Sequence, residues 1–129
     1  MSAKHIPINA ANAPQSAGGY AQAVLTENAQ RILHISGQIP VDLEGNTPPD
    51  FADQARLAWA NVIAQLEAAE MGLTNLVSHR TYLADRRYRE ANSAVRQEVL
   101  GDHQAALTVI IADIYDPAWL LEIEAVAIA

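Results

Sequence analysis

The 129-residue chain has no cysteine. That excludes disulfides, zinc–thiolate sites and thiol nucleophiles together, and it fits a reducing compartment. Basic residues are scarce: 8 Lys and Arg stand against 15 Asp and Glu, a formal charge of −7 with neutral histidine. Such a chain repels phosphate backbones, so no nucleic acid is expected as a partner. Long apolar runs are missing too. No window approaches the ~20 apolar residues of a membrane-spanning helix. The longest apolar tracts, near the C-terminus, carry Asp113, Asp116, Glu122 and Glu124. Met1 to Asn12 lacks a basic segment followed by an apolar run, so no signal peptide is read there and a cytoplasmic protein without membrane contact is expected. Gly18-Gly19 lacks the helix and lysine of a phosphate loop, and Ser36 in Ile35-Ser36-Gly37 does not have the spacing of a nucleophile elbow. His5, His34, His79 and His103 lack the spacing of a shared metal-binding face, so no metal is expected.

What is present is a chain 50% hydrophobic, of a length suited to one domain with one core. Ile6-Pro7-Ile8 reads as an edge strand that tolerates proline. Residues 20–26 and 31–36 read as two strands joined by a hairpin turn at Glu27-Asn28-Ala29-Gln30. From Pro49 to Met71, Phe51, Ala55, Ala58, Val62, Leu66 and Ala69 form one apolar stripe at helical period, with Asp50 as cap and Gly72 as the stop. Asn75 to Leu83 reads as a strand. Tyr88 to Leu100 reads as a second helix, with Tyr88, Ala91, Val95 and Val99 as its stripe and Gly101 at its end. Leu107 to Ile114 and Leu120 to Ala129 read as the last strands.

Two helices on one face of a single mixed sheet satisfy this order, an α+β class. The strand 107–114 is apolar on both faces, with Leu107, Val109 and Ile111 on one and Thr108, Ile110 and Ala112 on the other. Two helices cover only one side. Burial of the other is expected through self-association, most simply in a closed ring.

Candidate chemistry concentrates near strand ends. Glu122 and Glu124 are two apart and share a strand face, which is costly in a buried sheet unless each is paired. They read either as ion-pair partners of arginines or as a cleft carboxylate that handles a proton or a water. Tyr20 after Gly18-Gly19 is either a surface residue or a phenol brought into a cleft. Gly37 after Ser36 is either an ordinary strand-end turn or a place of close approach. Asn92 lies off the stripe of its helix and, by itself, reads as a solvated residue.

Together these stretches resemble the RidA/YjgF family, also known as L-PSP endoribonucleases or reactive-intermediate deaminases. The matching segments are Asn12-Ala13-Pro14 and Gly19-Tyr20-Ala21-Gln22-Ala23-Val24, then Ile35-Ser36-Gly37-Gln38-Ile39-Pro40. Gln54-Ala55-Arg56 with Asn61, Tyr82-Leu83-Ala84-Asp85, and Leu121-Glu122-Ile123-Glu124-Ala125-Val126-Ala127 follow in family order. The resemblance implies a chorismate-mutase-like α+β domain, a homotrimer around a barrel-like core, and small-molecule clefts between subunits. It implies hydrolysis of enamines or imines to 2-oxo acids and ammonia without a cofactor, with a glutamate orienting water and an arginine holding the substrate carboxylate. Tyr20, Ser36, Gly37, Asn92 and Glu122 fall on the family's cleft positions. Thr108 falls where many members carry Cys, Ser or Thr.

One departure bears on function. Where the family reads Pro-Ala-Arg-Ser/Thr, this chain reads Gln104-Ala105-Ala106-Leu107-Thr108. Aligned back from Glu122, with one extra residue in the Tyr115-Asp116-Pro117 loop, Ala106 takes the arginine's place. Alanine has no cation and no bidentate fork. Losing such a partner costs about 2–5 kcal/mol of binding, roughly 30- to 4000-fold. Efficient deamination of the usual 2-imino acids is therefore not expected. Arg80 and His103 are the candidate substitutes, although Arg80 shares a strand face with Tyr82 and reads first as a surface or interface ion pair. Three functions compete: a deaminase with altered substrate, a non-catalytic metabolite-binding trimer, and a nuclease, the last opposed by the acidic charge.

Overall fold

Helix α1 (Phe51–Ala68) starts where Asp50, in extended backbone, accepts a hydrogen bond from the Asp53 amide. Its stripe buries Phe51, Ala55, Ala58, Val62 and Leu66, joined by Gln54 and Trp59, which the apolar spacing does not mark. The helix does not stop at Gly72. Glu70 takes the left-handed conformation (φ 57°), Glu70 N donates to Glu67 O, and Met71 N donates to Leu66 O. These two bonds close the helix as a Schellman motif. Gly72 is extended and opens a short 3₁₀ turn, Leu73–Asn75, so its freedom is not needed for the stop. Helix α2 (Arg89–Leu100) does end at a glycine, Gly101 at φ 57°.

The computed structural model describes residues 1–129. The strands are β1 (Lys4–Ile8), β2 (Ala23–Glu27), β3 (Ile32–Gln38), β4 (Leu76–Leu83), β5 (Ala106–Ile111) and β6 (Leu121–Ile128). The expected hairpin between residues 20–26 and 31–36 does not form. β2 pairs antiparallel with β1, and β3 pairs with β6 in a four-stranded sheet of order β3-β6-β4-β5. The physical reason is packing: the inward side chains Leu33 and Ile35 match Ala127 and Ala125 of β6 and reach the core beneath α1. Pro7 does sit on a strand paired on one side only, opposite Val24.

β6 alternates perfectly. Leu121, Ile123, Ala125 and Ala127 are buried toward the helices, and Glu122, Glu124, Val126 and Ile128 face the other way. Both helices lie on the first side, and Phe51 of α1 stacks on Tyr88 at 4.7 Å between centroids. Gln54 ties the loop before β6 to α1, donating to Pro48 O and Ala118 O and accepting from Leu120 N. Asn61 donates to Ile39 O and Val41 O and fixes the loop after β3.

β5 is shorter than expected, ending at Ile111 rather than Ile114. It runs parallel to β4 at the sheet edge. Within one chain it is not buried on both faces: Val109, Ile110 and Ile111 are 39%, 41% and 38% exposed. No helix is long and apolar enough to cross a membrane.

Candidate functional site

The side of the sheet away from the helices carries most of the expected residues. Between Ile35, paired with Ala125, and Gln38, paired with Ile123, the register of β3 slips. Ser36 and Gly37 therefore oppose Glu124 alone, a β-bulge. The bulge brings the Gly37 backbone under Glu122. A Cβ at Gly37 would stand 1.9 Å from Glu122 Oε2 and 2.8 Å from its Cδ. Gly37 does not need a positive φ; what it provides is space for a carboxylate.

Glu122 forms no ion pair with any arginine in the chain. It lines a cleft of about 260 Å³ with Gly37, Tyr82, Tyr115 and Glu124. Glu124 is different. Its Oε1 accepts from Tyr82 OH at 2.5 Å and from Arg80 Nη1 at 2.7 Å. The Tyr82 hydrogen bond, followed by that of Arg80, holds the Glu124 carboxyl below its usual range. The same contact with Glu124 pushes the Tyr82 phenol up. The ion-pair reading thus holds for Glu124, and the Arg80 pair is the one its shared face with Tyr82 suggested.

An adjoining cleft of about 360 Å³ is lined by Ser36, Ala106, Thr108, Arg80, Glu124 and His34, among others. Ala106 and Thr108 lie opposite Ser78 and Arg80 of β4. The only cation in this group, Arg80, is already engaged by Glu124. His103 is elsewhere: its Nε2 donates to Leu76 O at 2.8 Å and lines none of these clefts.

Tyr20 lies apart from Glu122. It sits beside α2 at the β5 edge, in a cleft of about 540 Å³ with Ser93, Arg96, Leu107 and Val109. Leu107 pairs with the buried His79 and so points to the helix side, opposite to Thr108. Tyr20 OH accepts from Ala17 N at 3.3 Å. Asn92 is not the solvated residue that its place off the stripe suggested. It is 3% exposed, on the inner side of α2 with Val95, because that helix buries a wider face than its apolar residues mark. Within one chain the expected residues therefore lie apart: Ser36, Gly37, Ala106, Thr108 and Glu122 on the open sheet face, Tyr20 at the edge, and Asn92 buried on the inner side of α2.

Two features were not legible beforehand. The bulge has no sequence mark beyond Ser36-Gly37. Arg96 stands half-buried in the Tyr20 cleft, and its only signal was its place one helical turn after Asn92. No group of three His, Asp or Glu side chains comes together in a way that could hold a metal ion.

A four-stranded mixed sheet with two helices on one face, a carboxylate lodged over a bulge glycine on the other, and a separate β1-β2 pair define an α+β domain of the RidA/YjgF type. The chain belongs to the family described as Endoribonuclease L-PSP, whose model matches residues 10–129. It is 33% identical over 118 residues to a RutC family protein of Pyrococcus horikoshii, covering 90% of this chain and 91% of that one. It is 32% identical over 124 residues to the 2-iminobutanoate/2-iminopropanoate deaminase of Bos taurus, covering 94% and 88%. Among solved structures, a protein of unknown function of the Rid family, YyfB from Yersinia pestis, superposes with a TM-score of 0.85 at 27% identity over 97% of this chain and 98% of that one. E. coli TdcF with bound serine gives a TM-score of 0.72 at 28% identity over 96% and 98%.

Proposed function

We propose that this chain is a hydrolytic deaminase of a small imine or enamine, with Glu122 positioning the attacking water. The observation that carries the reading is the state of Glu122: a carboxylate seated over Gly37 in a cleft, with no arginine to neutralise it. Such a group can take a proton from water as its oxygen attacks the imine carbon, and return that proton to nitrogen. The C–N bond of the resulting carbinolamine then breaks, leaving a carbonyl compound and ammonia. The deaminase of Bos taurus, similar along nearly its whole length, supports this chemistry. No cofactor has a part in the step.

The separation of Tyr20 from Glu122 within one chain suggests assembly. The open sheet face and the exposed Val109, Ile110 and Ile111 are the surfaces that a closed ring of three copies would cover, and Tyr20 of one copy would then face Glu122 of the next. Replacing Ile110 with Asp on this reading converts the native trimer to monomers, read by light scattering. A native mass of one chain for the unaltered protein would contradict it.

The deaminase reading is tested by ammonia release from imines formed in situ by an amino-acid oxidase or dehydratase. Turnover above background that collapses in Glu122→Gln supports it. Absence of ammonia release from acidic and neutral imines alike contradicts it. The second reading, a trimer that binds a metabolite without turning it over, is favoured by Ala106, which removes the guanidinium from the open face. It predicts a ligand-induced rise in melting temperature that survives Glu122→Gln. RNA fits neither reading, given the charge of −7.

A further inference from the structure

The cleft beside Tyr20 contains a cation without a counterion. Arg96 is half-buried between α2 and the Gly18-Gly19 turn, where a Cβ at Gly19 would lie 3.7 Å from Arg96 Nη2. It makes no ion pair: the salt bridges of this chain use Arg56 and Arg80. No Asp or Glu lines the cleft. In a chain with 15 acidic and 8 basic side chains, an arginine in a concavity free of carboxylates is unlike its fellows. Partial burial pulls its pKa down, with Tyr20 opposing that shift. An arginine nevertheless stays protonated, so the cost of removing it from water remains until an anion arrives.

The surroundings match one kind of anion. Tyr20 OH accepts from Ala17 N, which leaves its proton free to donate. Ser93 is exposed at the same opening. Leu107 and Val109 offer an apolar wall. A planar guanidinium pairs best with a carboxylate through two parallel hydrogen bonds. The volume, about 540 Å³, is in the range of small-molecule sites.

We propose that Arg96 holds the carboxylate of the ligand, in place of the cation absent at Ala106, and that the ligand is a small carboxylic acid whose aliphatic tail packs on Leu107 and Val109. The proposal rests on reading the Tyr20 cleft as part of the ligand site. It removes the reason to doubt acidic substrates: the cation has moved from a strand to a helix.

The test is calorimetric titration of the intact protein with 2-oxobutanoate, its uncharged amide, and inorganic phosphate, for wild type, Arg96→Gln, Arg96→Lys and Arg80→Ala. Circular dichroism and native mass check each variant. Wild type is expected to bind 2-oxobutanoate at least tenfold better than the amide. Arg96→Gln is expected to weaken the acid 30-fold or more and leave the amide unchanged. Arg96→Lys restores part of the loss, and Arg80→Ala changes it less than threefold. Unchanged affinity in Arg96→Gln, loss in Arg80→Ala instead, no binding to wild type, or phosphate binding as tightly as 2-oxobutanoate each overturns the assignment. Ammonia release separates the two readings. If Arg96→Gln loses the acid but no imine is turned over, Arg96 keeps its role and the deaminase fails. If Glu122-dependent turnover of an acidic imine is untouched by Arg96→Gln, the deaminase stands and Arg96 does not.

Discussion

Glu122 and Glu124 leave the same face of the same strand, two residues apart, and meet opposite surroundings. Glu124 is saturated: a phenol and a guanidinium converge on one of its oxygens. Glu122 has a bulge, a glycine and open space. The difference arises on the neighbouring strands. Arg80 and Tyr82 of β4 lie opposite Glu124 and Glu122 in register, yet both side chains lean to Glu124. On the other flank, β3 gains a residue at Ser36-Gly37, and the side-chain-free Gly37 backbone lies close against the Glu122 carboxylate without offering it a cation. A carboxylate is paired in one case and left without a cationic partner in the other, with no change in the residue itself.

The largest expected way to break this contrast is Gly37→Ala. The new methyl would occupy the position of the Glu122 carboxylate. Because the carboxylate ends a flexible chain, it swings away with little cost to folding. Ammonia release is expected to fall about 100-fold or more, while the melting temperature stays close to wild type. A variant with full activity would show that the seat of Glu122 is irrelevant.

Next in size is an acid effect that must be separated from catalysis. His79 is 3% exposed, packs edge-on against Trp59 at 5.2 Å, and neither ring nitrogen has a hydrogen-bond partner. Burial first, then the nearby charges of Arg96 and His103, lower its pKa from 6.5 to about 4. Between those values the unfolded chain binds a proton that the folded chain refuses. Stability is therefore full above pH 6.5, falls as pH drops toward 4, and levels off below. The loss is on the order of 3 kcal/mol. Denaturant unfolding at pH 7, 5 and 4 measures it, and His79→Leu should flatten the slope. A slope that persists in the variant would place the titrating group elsewhere.

The smallest effect is expected from the saturated side. Tyr82→Phe removes one donor from Glu124 and leaves Arg80 in place. The pair is partly exposed to solvent, so the melting temperature should hardly move. Carbon-detected NMR should show the Glu124 carboxyl titrating closer to its usual value than in wild type. An unchanged titration would mean that Arg80 alone sets it.

The sequence was most legible where a periodic stripe meets a covered face. The stripes of α1 and α2 and the alternation of β6 named the core and placed Glu122 and Glu124 on one side. Strand pairing was less legible, since Glu27–Gln30 has hairpin chemistry but the partners of β3 are set by side chains far along the chain, as in Ile35 with Ala125. Asn92 reads as solvated in the sequence and is buried in the fold, because a polar side chain in a helix can be buried by its neighbours regardless of its own preference. Arg96 escaped notice for a related reason. Its meaning lies in the absence of a carboxylate nearby, and only the folded arrangement of α2 and the Gly18-Gly19 turn reveals that.

The most direct measurement compares Glu122→Gln with Glu124→Gln on the same imine, in assembled protein of wild-type melting temperature. If the unpaired carboxylate does the chemistry, the first loses at least 100-fold in kcat and the second less than tenfold. Equal losses, or a larger loss at Glu124, would contradict the account.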